Sequence, residues 1–241
     1  MRKLRFVENE IYHVYNRGVD KRTVFKDEYD YLRFIHDLYE FNDENPSSNL
    51  NYRFCRKPNH ITEAEPPYFT RGTCEEREPR KLLVEVMMFT LMPNHFHLLL
   101  REKKKGGVRR FMHKLGTGYT LHFNQRHERT GVLFQGRFKA VHVNKNNHLL
   151  HLPYYIHTNS LDLNKGQSAP IDFLDTYRWS SHLDYCGWNN FPSVTQREFL
   201  LDFFGGEEQY RKSINKWVSR KEENAEEIRE LLLEKTTPIL V

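Results

Sequence analysis

The chain has 241 residues, of which 38% are hydrophobic and 14% aromatic. This aromatic content excludes a disordered chain, although 29% of the residues are charged. The three cysteines form no CxxC pair, so a disulfide scaffold and a cysteine zinc site are excluded and a cytoplasmic location is expected. The most apolar stretch is broken by Glu85, Pro93 and Asn94, so no membrane span is expected.

Positive charge is concentrated in residues 101–139. This segment carries eleven basic and two acidic residues, a net charge of +9, whereas the whole chain has a net charge of +5. Basic side chains among aromatic ones are typical of a surface that contacts a nucleic-acid backbone. A solvated surface helix and loop is the alternative interpretation.

Hydrophobic periodicity predicts strands and helices in the order of an α/β sandwich with an antiparallel sheet. Alternation of apolar and polar residues predicts a strand, and apolar residues three or four positions apart predict a helix. In chain order, we predict a strand over 11–16, a helix over 27–42, strands over 83–92 and 95–101, a helix over 108–127, a strand ending near 143 and a helix starting near Asn146.

Two regions lie outside this pattern. Residues 43–81 are rich in Asn, Pro and charged residues and contain no long periodic run, so we interpret them as an irregular insertion. From about residue 170 onward the chain is helical and loosely amphipathic. We therefore predict a first domain over 1–165 and a helical C-terminal extension over 166–241.

His95 and His97 occupy alternate positions of a predicted strand, in the sequence MPNHFHLLL. Alternate strand residues point to the same face, so the two imidazoles project side by side and suit two ligands of one divalent cation. Surface or core histidines are the alternative. A metallohydrolase that activates water is a further alternative, but one common type has an aspartate where this chain has Leu99.

Tyr155 and Asn159 stand at i and i+4 on one face of a predicted helix. A tyrosine oxygen can act as a covalent nucleophile, and an amide oxygen can bind Mg²⁺ or Mn²⁺. A half-buried packing tyrosine is the alternative interpretation. Tyr119 is the rival nucleophile, but it belongs to the apolar stripe of its own predicted helix, so packing explains it.

The sequence MPNHFH after an apolar strand resembles the HUH motif (histidine, bulky hydrophobe, histidine) of single-tyrosine transposases. The segments HVYNRG, TGVLFQGRFKAVHV, YYIHTN and YRWSSHLDY resemble the branch called REP-associated tyrosine transposases. This branch belongs to the transposase superfamily of insertion sequences that move as single strands. The resemblance runs from about residue 13 to about residue 205 and skips the insertion.

This resemblance implies a ferredoxin-like α+β sandwich, the HUH endonuclease fold, in an enzyme that nicks and joins single-stranded DNA. Tyr155 matches the nucleophile, which forms a 5′-phosphotyrosine link and releases a 3′-hydroxyl. His95, His97 and Asn159 match the ligands of Mg²⁺ or Mn²⁺. The implied partner is single-stranded DNA that contains a hairpin. A monomer and a homodimer both stay open, and a catalytically silent protein that binds a DNA or RNA hairpin is the alternative.

Basic side chains would then contact the DNA phosphates. The predicted DNA-binding residues are Arg17, Lys103, Lys104, Lys105, Arg109, Arg110, Arg126, Arg129, Arg137 and Lys139. The chain departs from the family pattern at Pro153, which can kink or restart the helix before the tyrosines, and at Ser160, where a proline often follows the asparagine.

Overall fold

The computed structural model describes residues 4–45, 80–143 and 146–220. Its strands are β1 (Ile11–Arg17), β2 (Val84–Met92), β3 (His95–Glu102) and β4 (Lys139–His142). Its α-helices are α1 (Glu28–Glu40), α2 (Gly107–Arg126), α3 (Asn146–Thr158), α4 (Pro170–Thr176), α5 (His182–Tyr185), α6 (Glu198–Phe204) and α7 (Glu207–Ser219). The elements from β1 to α2 begin and end within two residues of their predicted bounds.

The four strands form one antiparallel sheet in the order β2-β3-β1-β4. The chain order β1-α1-β2-β3-α2-β4 together with this strand order is that of a ferredoxin-like fold. The predicted α+β sandwich with an antiparallel sheet is therefore confirmed. β1 and β3 lie side by side at the centre of the sheet, with His97 opposite Tyr15 and His95 opposite Arg17.

Side chains alternate between the two faces of the sheet. Val14 of β1 and Leu98 of β3 are fully buried in an apolar cluster that includes residues of α1 and α2. Ile11 and Leu99 point to the other face of the sheet and are buried in a second cluster, which includes residues of α3 and of the helices after it. The sheet is thus the middle layer of three, and both of its faces contribute buried apolar residues to a core.

The helices after residue 166 cover the second face of the sheet. Leu174 of α4, Tyr185 of α5 and Tyr210 of α7 are buried in the same apolar cluster as Leu99. Residues on both sides of position 165 therefore share one core. The division of the chain into two domains at this position stays a prediction.

The outer edge of β2 is also covered by this C-terminal part. The amide of Leu91 donates to the carbonyl of Trp179 at 2.9 Å, and the amide of Ser181 donates to the carbonyl of Phe89 at 3.0 Å. A covered edge strand leaves fewer backbone groups open to pairing with another chain. The same contact places the Ser181 hydroxyl 2.7 Å from Nε2 of His157, so it ties α3 to the sheet edge.

Helix α3 continues through Pro153, which is buried. A proline lacks the amide donor of one helical hydrogen bond, but the helix runs on to Thr158 without a second start. A 3₁₀ turn, Asn159–Leu163, follows directly. Tyr155 therefore lies in the last turn of the α-helix, and Asn159 lies at the first position beyond it.

Two predictions concern residues that the structure does not describe. Residues 46–79, which are most of the predicted insertion, lie outside the described residues, as does the predicted terminal helix in EENAEEIRELLLEK. Within the described ranges, no helix combines the length and the apolar character needed to span a bilayer.

Candidate active site

The predicted histidine pair lies on the face of the sheet that α3 covers. His95 and His97 are on the same side of β3, and their ring centroids are 5.2 Å apart with the rings nearly perpendicular. His95 is half-buried, and His97 is only 6% exposed. The two imidazoles are therefore neighbours at the start of β3, as the alternation of side chains along the strand predicted.

A third histidine, His13 of β1, joins this pair. Its Nε2 and Nδ1 of His97 share a hydrogen bond of 2.9 Å, and the two rings stack at 5.1 Å. His13 is 2% exposed, and its Nδ1 is buried without a hydrogen-bond partner among the described residues. His13 was not among the site residues predicted from the sequence. Strand alternation could have indicated it, because His13 and Tyr15 share one face of β1 as His95 and His97 share one face of β3.

Tyr155 extends from α3 over these histidines. Its ring stands edge-on to the ring of His97 at 5.7 Å and to the ring of His13 at 6.2 Å. The Tyr155 side chain is half-buried and has a hydrogen bond with the side chain of Asn159. The last turn of α3 thus brings the predicted nucleophile onto the predicted ligands, although 58 positions separate Tyr155 from His97 in the chain.

Asn159 links the tyrosine to the histidine pair. Its Oδ1 lies 3.0 Å from Nε2 of His95, and its side chain also has the hydrogen bond with Tyr155. On the other side of the His95 ring, Nδ1 lies 2.6 Å from Oδ1 of Asn94. The four predicted site residues are therefore together in space, and the 3₁₀ turn rather than the α-helix holds Asn159.

Burial makes the histidines weak bases. Burial lowers the pKa of His13 to about 3. Burial is the main cause that holds the pKa of His97 well below its ordinary value, and the neighbouring imidazoles of His13 and His95 lower that pKa further. Burial also lowers the pKa of His95, against the hydrogen bond to Asn159. The rings are therefore neutral at pH 7, the form in which an imidazole has a lone pair to offer a metal ion.

Burial has the opposite consequence for the tyrosine, because it disfavours the charged phenolate. It raises the pKa of Tyr155, and the nearby Tyr15 and Asp162 raise that pKa further. The hydrogen bond from Asn159 and the positive charge of Arg17 act in the other direction. Tyr155 is therefore a neutral phenol at pH 7 in the absence of bound ligands.

The rival nucleophile, Tyr119, lies on the opposite side of the sheet. It is fully buried in the cluster under α1 and α2, where its ring packs against Phe25 and Phe34. Its hydroxyl donates to the backbone carbonyl of Val24. Burial also holds the pKa of Tyr119 well above its ordinary value. The contacts of Tyr119 are those of a packing residue.

A different trio has the spacing of metal ligands in the described part of the chain. Donor atoms of Asp175, His182 and Cys186 all lie within 4.8 Å of one another. Nε2 of His182 is 3.2 Å from Oδ1 of Asp175, whose other oxygen pairs with Arg211 at 2.8 Å. The arginine supplies the positive charge that this carboxylate requires, so the trio is explained as a polar network. It includes none of the predicted ligands.

The predicted DNA-binding residues fall into two groups. In the first group, an acidic side chain already pairs with each cation: Lys103 with Glu85, Lys104 and Arg110 with Glu44, and Arg126 with Asp27 and Asp30. In the second group, no salt bridge with an acidic side chain is found among the described residues; its members are Arg17, Lys105, Arg109, Arg129, Arg137 and Lys139. The cations of the second group are therefore the ones available to pair with a phosphate.

The fold and the site together define a small α+β protein with a histidine pair and a tyrosine on one face of an antiparallel sheet. Residues 73–159 match the model of the family described as transposase IS200 like. The predicted resemblance to insertion-sequence transposases is thereby confirmed. The matched segment contains His95, His97, Tyr155 and Asn159.

Several solved structures are similar to this chain. Among them is that of a REP-associated tyrosine transposase bound to a REP hairpin, with a TM-score of 0.48 and 11% sequence identity. The alignment covers 82% of this chain and 93% of the other. No curated protein matches this chain at a significant level.

Proposed function

We propose that the protein nicks and joins single-stranded DNA, with Tyr155 as the nucleophile. The observation that carries the proposal is the gathering of Tyr155, His95, His97 and Asn159 on one face of the sheet. The match of residues 73–159 to the model of a transposase family supports DNA as the substrate. A phenol beside neutral nitrogen and oxygen donors suits attack on a phosphodiester, whose negative charge must be neutralised before a nucleophile can approach.

In the proposed step, the Tyr155 oxygen attacks the phosphorus of a DNA phosphodiester in line with the departing 3′ oxygen. A bond forms between the tyrosine oxygen and phosphorus, and the bond between phosphorus and the 3′ oxygen breaks. The phenol proton ends on the departing oxygen, which becomes a 3′-hydroxyl. The DNA is left joined to Tyr155 through a 5′ phosphate. Attack by a 3′-hydroxyl reverses the step and joins strands, so no nucleoside triphosphate is required.

We assign the ligand role for Mg²⁺ or Mn²⁺ to His95, His97 and Asn159. The donor set fits, because a neutral His95 ring carries one N–H while both of its nitrogens face an amide oxygen, Oδ1 of Asn94 at 2.6 Å and Oδ1 of Asn159 at 3.0 Å. With the ring proton on Nδ1, Nε2 and the Asn159 oxygen are two acceptors that face each other. A cation satisfies two acceptors that face each other in this way. When bound, it would neutralise charge on the scissile phosphate and orient it.

His13 has a positioning role in this proposal. Its hydrogen bond to Nδ1 of His97 leaves Nε2 of His97 as the atom that can face a cation. Tyr15 stacks on both rings, at 5.2 Å from His13 and 5.8 Å from His97, and so restricts their rotation. The buried bond thereby fixes the orientation of the ligand ring before any cation binds.

The DNA would approach over the cations of the second group. Arg17 is exposed and stands opposite His95 on the neighbouring strand, and Lys139 lies 5.9 Å from the centre of the Tyr15 ring. Both are therefore close to the proposed scissile phosphate. We propose single-stranded DNA with a hairpin as the substrate, in line with the family resemblance of the sequence.

A search for a covalent adduct on a denaturing gel tests this function. Labelled single strands from both flanks of the gene would be incubated with the protein and Mn²⁺, or with a chelator. We expect a gel-stable band that requires the cation and is lost in Tyr155→Phe. Tyr154→Phe is the matched control, because Tyr154 is on the same helix but packs against Phe204 and Trp217.

Two further variants separate the alternatives. Tyr119→Phe and Tyr15→Phe should both retain the band, and a band that depends on either one instead of Tyr155 would contradict the assignment. Cleavage without any covalent species would favour a metallohydrolase. Tight binding of DNA without any band or cleavage would favour a silent hairpin-binding protein.

A further inference from the structure

A cavity of about 610 Å³ lies on the opposite side of the sheet from the histidines, between α2 and the segment 131–138 that leads to β4. Its lining includes the buried rings of Phe96 and Phe134, which are only 2% and 8% exposed, and the half-buried ring of Phe138. Leu121 and Val132 line it as well, although they are 66% and 70% exposed. This volume is within the range of pockets that hold small organic ligands, and large exposed apolar side chains beside it mark a contact surface.

Gly116 of α2 lines this cavity without a packing reason to be glycine. A Cβ placed at Gly116 meets no atom within 4 Å, whereas one at Gly118 meets the ring of Phe41 at 2.5 Å. Gly118 is therefore required by helix packing, and Gly116 is not. Glycine weakens the interior of a helix relative to alanine. Its presence at position 116 keeps the wall of the cavity open.

Positive charge stands beside this aromatic interior. Arg137 and Arg109 both line the cavity, and neither forms a salt bridge with an acidic side chain in the part of the chain that the structure describes. The guanidinium of Arg109 donates to the carbonyl of Leu4 at 3.2 Å and stands over the ring of Phe6, and its charge also opposes the rise that burial causes in the pKa of Glu102. A ligand that matches this site has a flat, largely apolar body and an attached anionic group. Hydroxyls of Thr117 and Thr120, which also line the cavity, can accept or donate hydrogen bonds at its edge.

The cavity is joined to the proposed active site through the end of β1. Asn16 and Arg17 point to opposite faces of the sheet, because they are adjacent on a strand. The Asn16 side chain lines the cavity and donates to the carbonyl of Gly136 at 3.3 Å, whereas Arg17 stands opposite His95. The amide of Gln135 donates to the carbonyl of Arg17 at 2.7 Å. A polynucleotide strand could therefore pass from one site to the other around the end of one strand.

We propose that this cavity binds one unpaired nucleobase of the DNA, with the adjoining phosphate held by Arg109 and Arg137. The base would lie against the accessible side chains of Phe138, Leu121 and Val132, and any of the four bases has a face suited to contact with an aromatic ring. The proposal rests on the proposed function in that it takes single-stranded DNA as the ligand. It adds a second binding site, distant from the tyrosine, which holds the strand through a base instead of through phosphates alone.

The test uses a substitution on α2, Gly116→Leu, whose larger side chain fills the cavity. Binding of a fluorescein-labelled single strand from the gene's own flank would be measured by anisotropy, together with a series in which each nucleotide in turn is abasic. For wild type, we expect one position at which the abasic change weakens binding about tenfold, as expected for loss of a stacked base. In Gly116→Leu, binding of the intact strand should be weaker by a similar factor, and the abasic change at that position should cost nothing more.

Gly116→Ala is the matched control, because a methyl group leaves most of the cavity open and alanine favours the helix. It should bind and respond to abasic changes as wild type does, with an equal or higher melting temperature. Arg137→Gln should keep the response at the sensitive position and lower the slope of log affinity against log salt by about one. These two variants show whether weaker DNA binding by Gly116→Leu results from the filled cavity or from a disturbed fold.

Other results would overturn the proposal. These are an abasic series without a sensitive position, a Gly116→Leu variant with full sensitivity, or a change in oligomeric state instead of DNA binding, which would assign the cavity to a protein contact. The Tyr155 adduct measured on the same variants separates the two proposals. An adduct that persists alongside any of these results leaves the proposed function standing. A wild type that does not bind single strands contradicts both.

Discussion

The two faces of the central sheet are built from the same strands but have different chemistry. On the face under α1 and α2, Val14 and Leu98 enter a continuous apolar core. On the face under α3, the neighbouring positions of the same strands are His13 and His97, which bond to each other. The comparison shows that one strand can stabilise the fold with every second residue and hold a polar site with the residues between, because consecutive side chains point to opposite faces of the sheet.

The two faces also differ in how their buried polar groups are arranged. Asp30, fully buried on the α1 side, accepts hydrogen bonds from Arg126 and His127. Each side has an unpartnered buried ring nitrogen among the described residues, Nε2 of His122 on α2 and Nδ1 of His13 on β1. Only on the α3 side do several imidazoles gather around a tyrosine, and this grouping supports the proposal that the α3 face is the reactive one.

The largest expected effect is on the reaction itself. His97→Ala should reduce cation-dependent adduct formation to background, because one of the proposed ligands is lost, while binding of single-stranded DNA stays within about threefold of wild type as phosphate contacts dominate affinity. A gel assay with Mn²⁺ and an anisotropy titration measure the two quantities. Unchanged adduct formation would exclude His97 as a ligand.

The next effect compares adjacent residues of β3 that point to opposite faces. Leu98→Ala and Leu99→Ala should each lower the free energy of unfolding by about 2–5 kcal/mol, because both side chains are fully buried. Only Leu99→Ala should also slow adduct formation per folded molecule, because Leu99 is opposite His13 on the reactive face. Chemical denaturation and the adduct assay below the unfolding transition measure the two properties. Equal activity of the two variants would contradict the separation of the faces.

A smaller effect is expected for the positioning histidine. His13→Ala should weaken Mn²⁺ binding about 10–100-fold, the usual consequence of removing a group that orients a ligand. His13→Gln, which can still bond to Nδ1 of His97, should recover part of this loss. Calorimetric titration of the protein with Mn²⁺ measures the affinity without any DNA. A purely structural role for His13 would lower the melting temperature of both variants and leave the affinity for Mn²⁺ unchanged.

The smallest effect distinguishes cations with and without acidic partners. Arg17→Gln should weaken DNA binding less than about tenfold and lower the salt slope by about one, because one phosphate contact is lost. Arg126→Gln should leave DNA binding unchanged and lower the melting temperature, because Arg126 already pairs with Asp27 and Asp30. Anisotropy over a series of salt concentrations measures the slopes. Equal slopes for the two variants would contradict the grouping.

Local patterns were sufficient to predict most of the fold. The strands over 83–92 and 95–101 and the helix over 108–127 were predicted from periodicity alone, because apolar alternation and helical spacing reflect contacts between near neighbours. Pro153 was an ambiguous local signal, compatible with a kinked or a restarted helix. The helix does not restart there, because α3 continues through Pro153 to Thr158, and tertiary packing supports it on both sides of the proline.

The candidate site was predictable in part. His95, His97, Tyr155 and Asn159 were singled out by spacing and by family resemblance. His13 was missed because its relation to His97 depends on pairing between strands 84 positions apart. The acidic partners of Lys103 and Arg126 were missed for the same reason, so the predicted basic surface included cations that are already neutralised.

By itself, the sequence determined the order of strands and helices and the side-by-side projection of His95 and His97, because these depend on periodicity within one segment. Only the tertiary structure decided which helix lies over the histidines, that His13 holds His97, and that the segment after α2 leaves a cavity beside Gly116. These features arise when segments far apart in the chain meet, and such contacts depend on shape and packing rather than on any local pattern.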